Sequence, residues 1–351
     1  MTSKQQWLEF LQTQHAVIES DKVLSFGQSD EFSALTGKTV VAPLDDYAVI
    51  RVTGEDNADF LQNQFSNDVR QVSDSQSQLN AYCSPKGRVL SLFRLIKQEQ
   101  AYFLLLPQQR LQPTLSRLKM FVLRSKVQLE DVSDTMGALG IAGENARVVA
   151  ESILPAVPED VDGCHFDGGV SVIKMPGPAN RYLIFAGFDK LKDLWVKSQA
   201  HAAPAASPSW NYWNIQYGIP EVLEATSDEF VPQMLNLHSL NGVSFKKGCY
   251  PGQEVVARMH YLGKQKRRMY LAHVETGSPP QPGENVYNEP DAAGQSVGKI
   301  VTTTASPQGG YDALVVMQIA SVENRDRILT QQNAALKFKE LPYFVEVEGN
   351  K

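Results

Sequence analysis

The chain has 351 residues, of which 42% are apolar and 21% are charged, and its net charge is −6. The length predicts more than one domain, and the composition is typical of a globular protein in water. A negative net charge gives no overall attraction to nucleic acid or to an anionic membrane, so we expect neither as a partner.

Helical and strand patterns alternate through the first 200 residues. Ser3 and Gln6 make a capping-box pattern that predicts an amphipathic helix over 3–19. Tyr47 opens an alternating stretch that predicts a strand over 47–52. Further helices are predicted at 56–64, 112–122, 144–153 and 189–199, and further strands at 79–83, 89–96, 101–106, 126–132, 137–142, 169–175 and 181–186. The short connections favour α+β layers over a strict βαβ series.

Small residues and prolines at 201–209 predict a linker or a surface loop. Trp210, Trp213 and Tyr217 then follow at helical spacing, which is most often a core face. Residues 230–238 interleave apolar side chains with amides, which also suits a flat heteroaromatic ring.

Beyond residue 264 the strand patterns become short, and Gly and Pro turns separate them. They lie at 269–274, 297–304, 311–319 and 343–347. Helical periodicity is weak in this region except around 330–336, where it predicts a short helix. This pattern predicts a small β-barrel. We therefore divide the chain into an α+β region at 1–262, with two interleaved subdomains, and a C-terminal barrel domain at 263–351.

The most informative stretch is 245–258, Phe-Lys-Lys-Gly-Cys-Tyr-Pro-Gly-Gln-Glu-Val-Val-Ala-Arg. Gly248 and Gly252 let the backbone turn sharply around Cys249. Lys246 and Lys247 are cations that favour a thiolate over a thiol. The pattern predicts a reactive cysteine, with Lys247 assisting it. The competing interpretation is that Cys249 is a small buried hydrophobe.

Basic residues cluster in the same region: seven lie between 246 and 268, against one acid, Glu254. Such a cluster suits an anionic ligand, whether a glutamate tail, a phosphate or an RNA backbone. The alternative is a solvated surface whose charges pair with acids elsewhere. The turn Cys-Ser-Pro-Lys-Gly-Arg at 83–88 is either a second anion contact or a plain basic hairpin tip.

The cysteines indicate a cellular compartment, and the absence of common catalytic and nucleotide-binding motifs limits the possible functions. The three cysteines, Cys83, Cys164 and Cys249, are odd in number and lack metal-type spacing, which favours a reducing compartment; Cys83 and Cys164 are interpreted as structural. No signal-peptide pattern opens the chain, so we expect a cytoplasmic protein. There is no phosphate-binding Gly-Lys-Ser/Thr loop, no dinucleotide fingerprint, no His-Glu-x-x-His and no nucleophile elbow, and we expect no metal site.

Taken together these residues resemble the YgfZ family of folate-binding proteins, which is related to the T-protein (aminomethyltransferase) of the glycine cleavage system. The central match is Lys-Gly-Cys-Tyr at 247–250 followed by Gly-Gln-Glu at 252–254 and Arg258. Supporting matches are Leu-Asp-Asp-Tyr at 44–47, Val-Thr-Gly at 52–54, Phe-Leu-Gln-Asn-Gln at 60–64, Pro-Lys-Gly-Arg at 85–88, Gly-Ile-Pro at 218–220, Phe-Val-Pro-Gln at 230–233 and Leu-Pro-Tyr at 341–343.

The resemblance implies a T-protein-like α+β fold, with subdomains around a central opening and a final β-barrel. It implies a tetrahydrofolate-type cofactor and a role in assembly or repair of iron–sulfur clusters in client enzymes, and through them in tRNA modification. Tyr47 and Trp210 stand where the family's folate-contacting aromatics lie. Gln253, Glu254 and Arg258 are the further predicted cofactor contacts, with Cys249 and Lys247 as the catalytic pair. We do not expect a conventional enzyme. We expect the protein to be a monomer.

Two alternatives remain. An aminomethyltransferase-like enzyme would need the acid that the T-protein carries after its glycine turn, and Ser91 stands near that position here. A non-enzymatic RNA-binding module would use the basic cluster, against the negative net charge.

Overall fold

The computed structural model describes residues 1–27, 38–289 and 295–345, within which the chain forms eight α-helices and nineteen strands. The helices are α1 (Ser3–Thr13), α2 (Asn57–Gln62), α3 (Leu111–Met120), α4 (Ala146–Ile153), α5 (Phe188–Ser198), α6 (Ser207–Gln216), α7 (Gln253–Leu262) and α8 (Ile319–Glu323). The strands are β1 (Val17–Glu19), β2 (Lys22–Ser25), β3 (Val40–Pro43), β4 (Tyr47–Thr53), β5 (Gln78–Cys83), β6 (Val89–Gln98), β7 (Ala101–Pro107), β8 (Gln128–Asp131), β9 (Met136–Ala142), β10 (Cys164–Asp167), β11 (Val170–Lys174), β12 (Arg181–Gly187), β13 (Ala203–Pro204), β14 (Arg267–Val274), β15 (Asn285–Asn288), β16 (Gly298–Ala305), β17 (Tyr311–Gln318), β18 (Ile328–Thr330) and β19 (Leu336–Lys339). None of these helices is long and apolar enough to cross a membrane.

The chain divides into two compact units. The first contains residues 1–61, 69–78 and 93–211, and the second contains 62–68, 79–92 and 212–351. The boundary predicted at 262/263 falls inside the second unit, so the domain division drawn from the sequence stays a prediction.

A six-stranded sheet in the order β10-β11-β12-β9-β3-β13 dominates the first unit. Helices α1, α4 and α5 cover it, because each presents an apolar face to the strands. Their contacts centre on Leu11, Val149 and Trp195, which lie in one buried cluster with Ile141 and Ile184 of the sheet. Strands β4, β7 and β8 pair antiparallel in a second sheet, and β4 begins at Tyr47.

Two predictions in the first unit are wrong. Helix α1 ends at Thr13 instead of residue 19, and its capping box uses Thr2 and Gln5, one residue before the predicted pair. His15 adopts a left-handed φ of 71°, which stops the helix. The predicted linker at 201–209 is largely buried: it contributes β13, which pairs parallel with β3, and the start of α6. Its alanines have side chains small enough to fit beside the sheet.

The barrel predicted at the end of the chain is confirmed as a curled six-stranded sheet in the order β18-β15-β16-β17-β14-β19. A bridge between Leu329 and Ala335 joins its two edges. The helix predicted around 330–336 is wrong, because Asn333 turns with a φ of 61° and the chain passes from β18 to β19 there. No strand forms at 343–345, and residues 346–347 of that predicted strand lie outside the described residues.

Strand β14 separates two apolar clusters of the second unit, because successive side chains of a strand point to opposite faces. Met269 and Leu271 belong to one cluster, with Leu79, Cys83 and the segment after α6. The alternate residues 270, 272 and 274 belong to the other, inside the barrel. The predicted α+β class with a C-terminal barrel is therefore confirmed.

Candidate functional site

Cys249 lies in an exposed turn directly before α7, whereas Cys83 and Cys164 are buried. Burial raises the pKa of Cys83 to about 12, with the nearby Asp228 charge adding to it, and raises that of Cys164 to about 11. A thiol with so high a pKa is almost wholly protonated near neutral pH and is a poor nucleophile. Exposure thus singles out Cys249 as the thiol that a reagent or partner can reach, and the structural interpretation of the other two is confirmed.

Two glycines hold the Cys249 turn against the hairpin between β5 and β6. Gly252 has a φ of 81°, and a Cβ built on it would lie 2.4 Å from the Ser84 carbonyl oxygen and 2.6 Å from Gly87 Cα. Gly87 has a φ of 72°, and a Cβ there would lie 2.9 Å from Val255 Cβ. Only residues without side chains permit this approach. The structure therefore brings together the Pro-Lys-Gly-Arg and Lys-Gly-Cys-Tyr segments, which are about 160 positions apart in the sequence.

Lys247 is buried and its ammonium donates three hydrogen bonds to backbone carbonyls. The Nζ atom lies 2.6 Å from the oxygen of Gln62, 2.6 Å from that of Phe65 and 2.9 Å from that of Asn67. Its Nζ also lies 5.2 Å from the centroid of the Tyr250 ring. A buried cation is stable only with such a full set of partners. These contacts make Lys247 an anchor of the turn, a role that the sequence did not predict; its assistance to the thiol stays a prediction.

The remaining predicted cofactor contacts of this unit lie on α7. Gln253 begins the helix and donates from Nε2 to the Lys247 carbonyl oxygen at 3.3 Å. Glu254 and Arg258 are exposed one turn apart. The structure thus places Cys249, Lys247, Gln253, Glu254 and Arg258 in one continuous turn and helix.

The amides of residues 230–238 have a structural use. Gln233 is fully buried and donates from Nε2 to the Val256 carbonyl oxygen at 2.7 Å. Asn236, also fully buried, donates from Nδ2 to the Met269 carbonyl oxygen at 3.0 Å. These side chains fix α7 and β14 to the core, and their donors are directed at backbone instead of at a cavity.

Tyr47 and Trp210 lie in the first unit, on elements that the Leu-Asp-Asp motif joins. The Asp45 carboxylate accepts from Val23 N at 2.5 Å and contacts Ser207 Oγ, and Ser207 Oγ donates to the Pro43 carbonyl at 2.7 Å. Ser207 begins α6, which carries Trp210 one turn later, and Tyr47 begins β4 two residues after Asp45. Desolvation by burial raises the pKa of Asp45 from 3.8 to about 6, although its hydrogen bonds oppose the rise.

Trp210 itself is only 2% exposed. The Arg181 guanidinium carbon lies 4.6 Å from the centroid of its ring, and a Cβ on Gly140 would lie 2.3 Å from the indole. Gly140 is therefore the residue that makes room for the ring in the sheet. A ligand that stacks on this indole has to displace Arg181 or use the ring edge, whereas the half-buried Tyr47 is more accessible.

Asp228 is a further residue of this region, and the sequence pattern did not indicate it. It has a φ of 62°, its carboxylate accepts from Ser84 Oγ at 2.7 Å, and its carbonyl oxygen accepts from Arg88 Nη1 at 3.1 Å. Nothing in the local pattern at 226–229 distinguishes this acid from a surface residue. It orders the hairpin turn on which the Cys249 turn rests. Ser91, by contrast, is fully buried in β6.

A cleft of about 730 Å³ lies elsewhere in the second unit, at the edge of the barrel. Arg268, Tyr270, Phe338, Lys339 and Phe344 are among the residues that line it. None of the predicted site residues does so.

Comparison with known proteins places these motifs in a family. The tRNA-modifying protein YgfZ of Colwellia psychrerythraea is 31% identical over 316 residues, which cover 89% of this chain and 95% of that protein. The chain belongs to the YgfZ family. The protein of the same name from Escherichia coli O6:H1 is 31% identical over 305 residues, covering 86% of this chain and 93% of its own length. Residues 8–167 match the GCVT N-terminal domain.

Among solved structures, the glycine cleavage system aminomethyltransferase T from Bartonella henselae superposes on this YgfZ family member with a TM-score of 0.75. The match covers 97% of both chains at 13% sequence identity, so it shows a common fold. The resemblance noted in the sequence is thereby confirmed, as is the T-protein-like fold.

The residues present fit some parts of a folate better than others. Arg258 is an exposed cation of the kind that binds a carboxylate of a glutamate tail. The buried indole of Trp210 offers a pterin ring little surface. The cofactor contacts predicted from the sequence therefore stay predictions.

Proposed function

We propose that this chain is a tetrahydrofolate-binding accessory protein that supports iron–sulfur cluster assembly or repair and, through such enzymes, tRNA modification. Membership of a family whose curated relatives are named tRNA-modifying proteins supports the tRNA part. The T-protein-like fold supports the folate part, by analogy of fold only.

The observation that carries the proposal is the exposed Cys249 on a turn that its surroundings hold firmly. Gly252 contacts Gly87, and the Lys247 ammonium anchors the turn by donating three hydrogen bonds to buried backbone carbonyl oxygens. A cysteine that only filled a core would need neither exposure nor such support. The turn leaves the sulfur accessible, which is what an accessory protein with a working thiol requires.

Each predicted site residue has a role in this proposal. Cys249 is the working thiol, and Lys247 positions it. Tyr47 and Trp210 are assigned to the folate ring system and Arg258 to its carboxylates, with Gln253 and Glu254 at the start of the same helix. A bound tetrahydrofolate would supply one-carbon chemistry.

Complementation tests the working thiol. Cells that lack the protein are supplied with wild type, Cys249→Ser or Cys83→Ser, and the modification of their tRNA by iron–sulfur enzymes is measured by mass spectrometry. We expect Cys249→Ser to leave tRNA undermodified, whereas Cys83→Ser retains function if it folds. Full modification with Cys249→Ser present at wild-type level would remove the thiol from the proposal.

Folate binding is tested separately by titrating tetrahydrofolate against intrinsic tryptophan fluorescence, in parallel with calorimetry. We expect saturable binding to wild type and weaker binding to Arg258→Gln and to Tyr47→Ala. Trp210→Ala shows whether the buried indole takes part. If the wild-type protein gave no heat of binding and no quenching of its tryptophan fluorescence, tetrahydrofolate would be excluded as a ligand.

The fold likeness keeps aminomethyl transfer as a second candidate. By the sequence resemblance, the buried Ser91 stands near the position where the T-protein carries its acid, so we expect no methylene-tetrahydrofolate from an aminomethyl-lipoyl donor. Turnover by purified protein would establish the transferase.

A further inference from the structure

The geometry points to an RNA-binding surface along α7, with tRNA as its ligand. We define this α7 surface by four cations, Lys246, Arg258, Lys264 and Lys266, and by the aromatic Tyr261. It deepens the proposed function and rests on it, because it makes the protein touch the tRNA itself instead of acting only through other enzymes. The net charge of −6 predicted no such partner, and the local arrangement argues otherwise.

The four cations are presented outward by their neighbours. Lys246 is exposed while the adjacent Lys247 is buried, and Lys264 and Lys266 are exposed on either side of the buried Gln265. Gln265 is held by hydrogen bonds from its Nε2 to the carbonyl oxygens of Gln233 at 2.8 Å and Arg267 at 3.0 Å. Anchoring the middle residue of this short segment in the core leaves the lysines on both sides of it in solvent.

These cations have no ion-pair partner in the part of the chain that the structure describes. Elsewhere in that part, exposed cations such as Lys126 and Arg327 pair with carboxylates. The stretch 246–268 contains a single acid, Glu254, at the far end of α7. A group of unpaired cations is the footprint expected for a phosphate backbone.

Aromatic rings provide the second component. The Phe245 and His260 rings stack 3.7 Å apart with an angle of 6° between their planes. Tyr261 packs edge-on against His260 at 4.6 Å and is 64% exposed. The stacked pair supports one edge of the Tyr261 side chain and leaves the rest of its ring accessible to solvent. An accessible ring of this kind suits stacking of an unpaired nucleobase.

Arg258 connects the two components. It lies three residues before Tyr261 and four before Leu262, so the three side chains neighbour one another at the C-terminal end of α7. Leu262 is 85% exposed and provides apolar area for a ribose or base. An acidic protein surface would share the preference for cations, but the accessible ring beside them favours single-stranded RNA in a tRNA loop or end.

Direct binding tests this surface. A fluorescent, unmodified tRNA transcript is titrated with full-length protein at several KCl concentrations. We expect the triple variant Lys246→Gln, Lys264→Gln, Lys266→Gln to bind more weakly, with a slope of log affinity against log salt that is shallower by about one for each lost phosphate contact. Tyr261→Ala should weaken binding by about tenfold, and Tyr261→Phe should retain it.

The matched control is Lys119→Gln, Arg124→Gln, Lys197→Gln, which removes the same charge from exposed positions of the first unit. This control should keep the wild-type slope. Two results would overturn the inference. The first is that the wild-type protein binds no tRNA at 50 mM salt, which would leave an acidic protein as the ligand of this surface. The second is that both triple variants lose the same amount of tRNA affinity. Neither result bears on Cys249→Ser or on the folate titration, so failure here is distinguishable from failure of the proposed function.

Discussion

Gly252 and Gly87 contact each other backbone to backbone, and a Cβ on Gly252 would lie 2.6 Å from both the N and the Cα of Gly87. Both have positive φ, at 81° and 72°. Two turns that are distant in the sequence thus meet at glycines, because a residue with a Cβ would not permit so close an approach of the two backbones. The presentation of Cys249 depends on this contact.

The contact makes Gly252→Ala destabilising. The substituted residue has to adopt a left-handed conformation and displace the Ser84 carbonyl, so we expect the free energy of unfolding to fall by at least about 2 kcal/mol. Urea denaturation measures it. Gly248→Ala in the same turn is the control, because its Cβ would meet no atom within 4 Å. Equal losses from the two variants would contradict the contact.

Lys247 and Lys246 should respond very differently to the same substitution. Lys247→Met removes the ammonium that donates to three carbonyl oxygens in a buried setting, so we expect a loss of about 3 kcal/mol or more. Lys246→Met alters an exposed side chain and should change stability by less than about 0.5 kcal/mol. Thermal denaturation of both variants tests this.

Lys247→Arg should not restore the stability, because a planar guanidinium cannot direct three donors at oxygens arranged around one nitrogen atom. Wild-type stability in Lys247→Arg would show that charge alone is needed at this position.

The three thiols should differ in reactivity. Iodoacetamide at neutral pH should label Cys249 in the native protein, whereas Cys83 and Cys164 become labelled only in denaturant, because both are buried and burial raises their pKa values to about 12 and about 11. Peptide mass spectrometry after timed labelling distinguishes them. Rapid native labelling of Cys83 would show that the Cys249 turn opens from the hairpin.

Asp45 should make stability depend on pH in an unusual direction. Its pKa is raised from 3.8 to about 6 in the folded protein, so the folded state binds the proton more tightly than the unfolded state. Its contribution is therefore full below pH 4 and is lost as the pH rises through 6, with a total on the order of 2–3 kcal/mol.

Asp45→Asn isolates this contribution. Its amide oxygen can accept from Val23 N and its NH₂ can donate to Ser207 Oγ, so the contacts remain without a charge to desolvate. As the pH rises from 4 to 6, the unfolding free energy of Asp45→Asn should increase relative to that of the wild type. A difference that stays flat across this range would mean that the carboxyl is better solvated than its position indicates.

Sequence patterns identified most strands of the first 200 residues because alternation of apolar side chains is a local signal. The strands predicted at 101–106 and 181–186 are observed as Ala101–Pro107 and Arg181–Gly187. Patterns failed where burial comes from distant parts of the chain. The small residues at 201–209 look like a linker until strand β3 is placed beside them, and α7 was not predicted because its exposed face mixes Val255, Arg258 and Leu262.

By itself the sequence determined the family, the α+β class, the final barrel and the prominence of Cys249, since motif spacing and periodicity are properties of short stretches. Only the tertiary structure decided what each motif residue contacts. It buried Lys247 beneath the turn while leaving Lys246 outside, and it packed Trp210 against Gly140. Neighbouring residues of the same type receive opposite roles because burial depends on which distant backbone lies against them, and no local pattern encodes that.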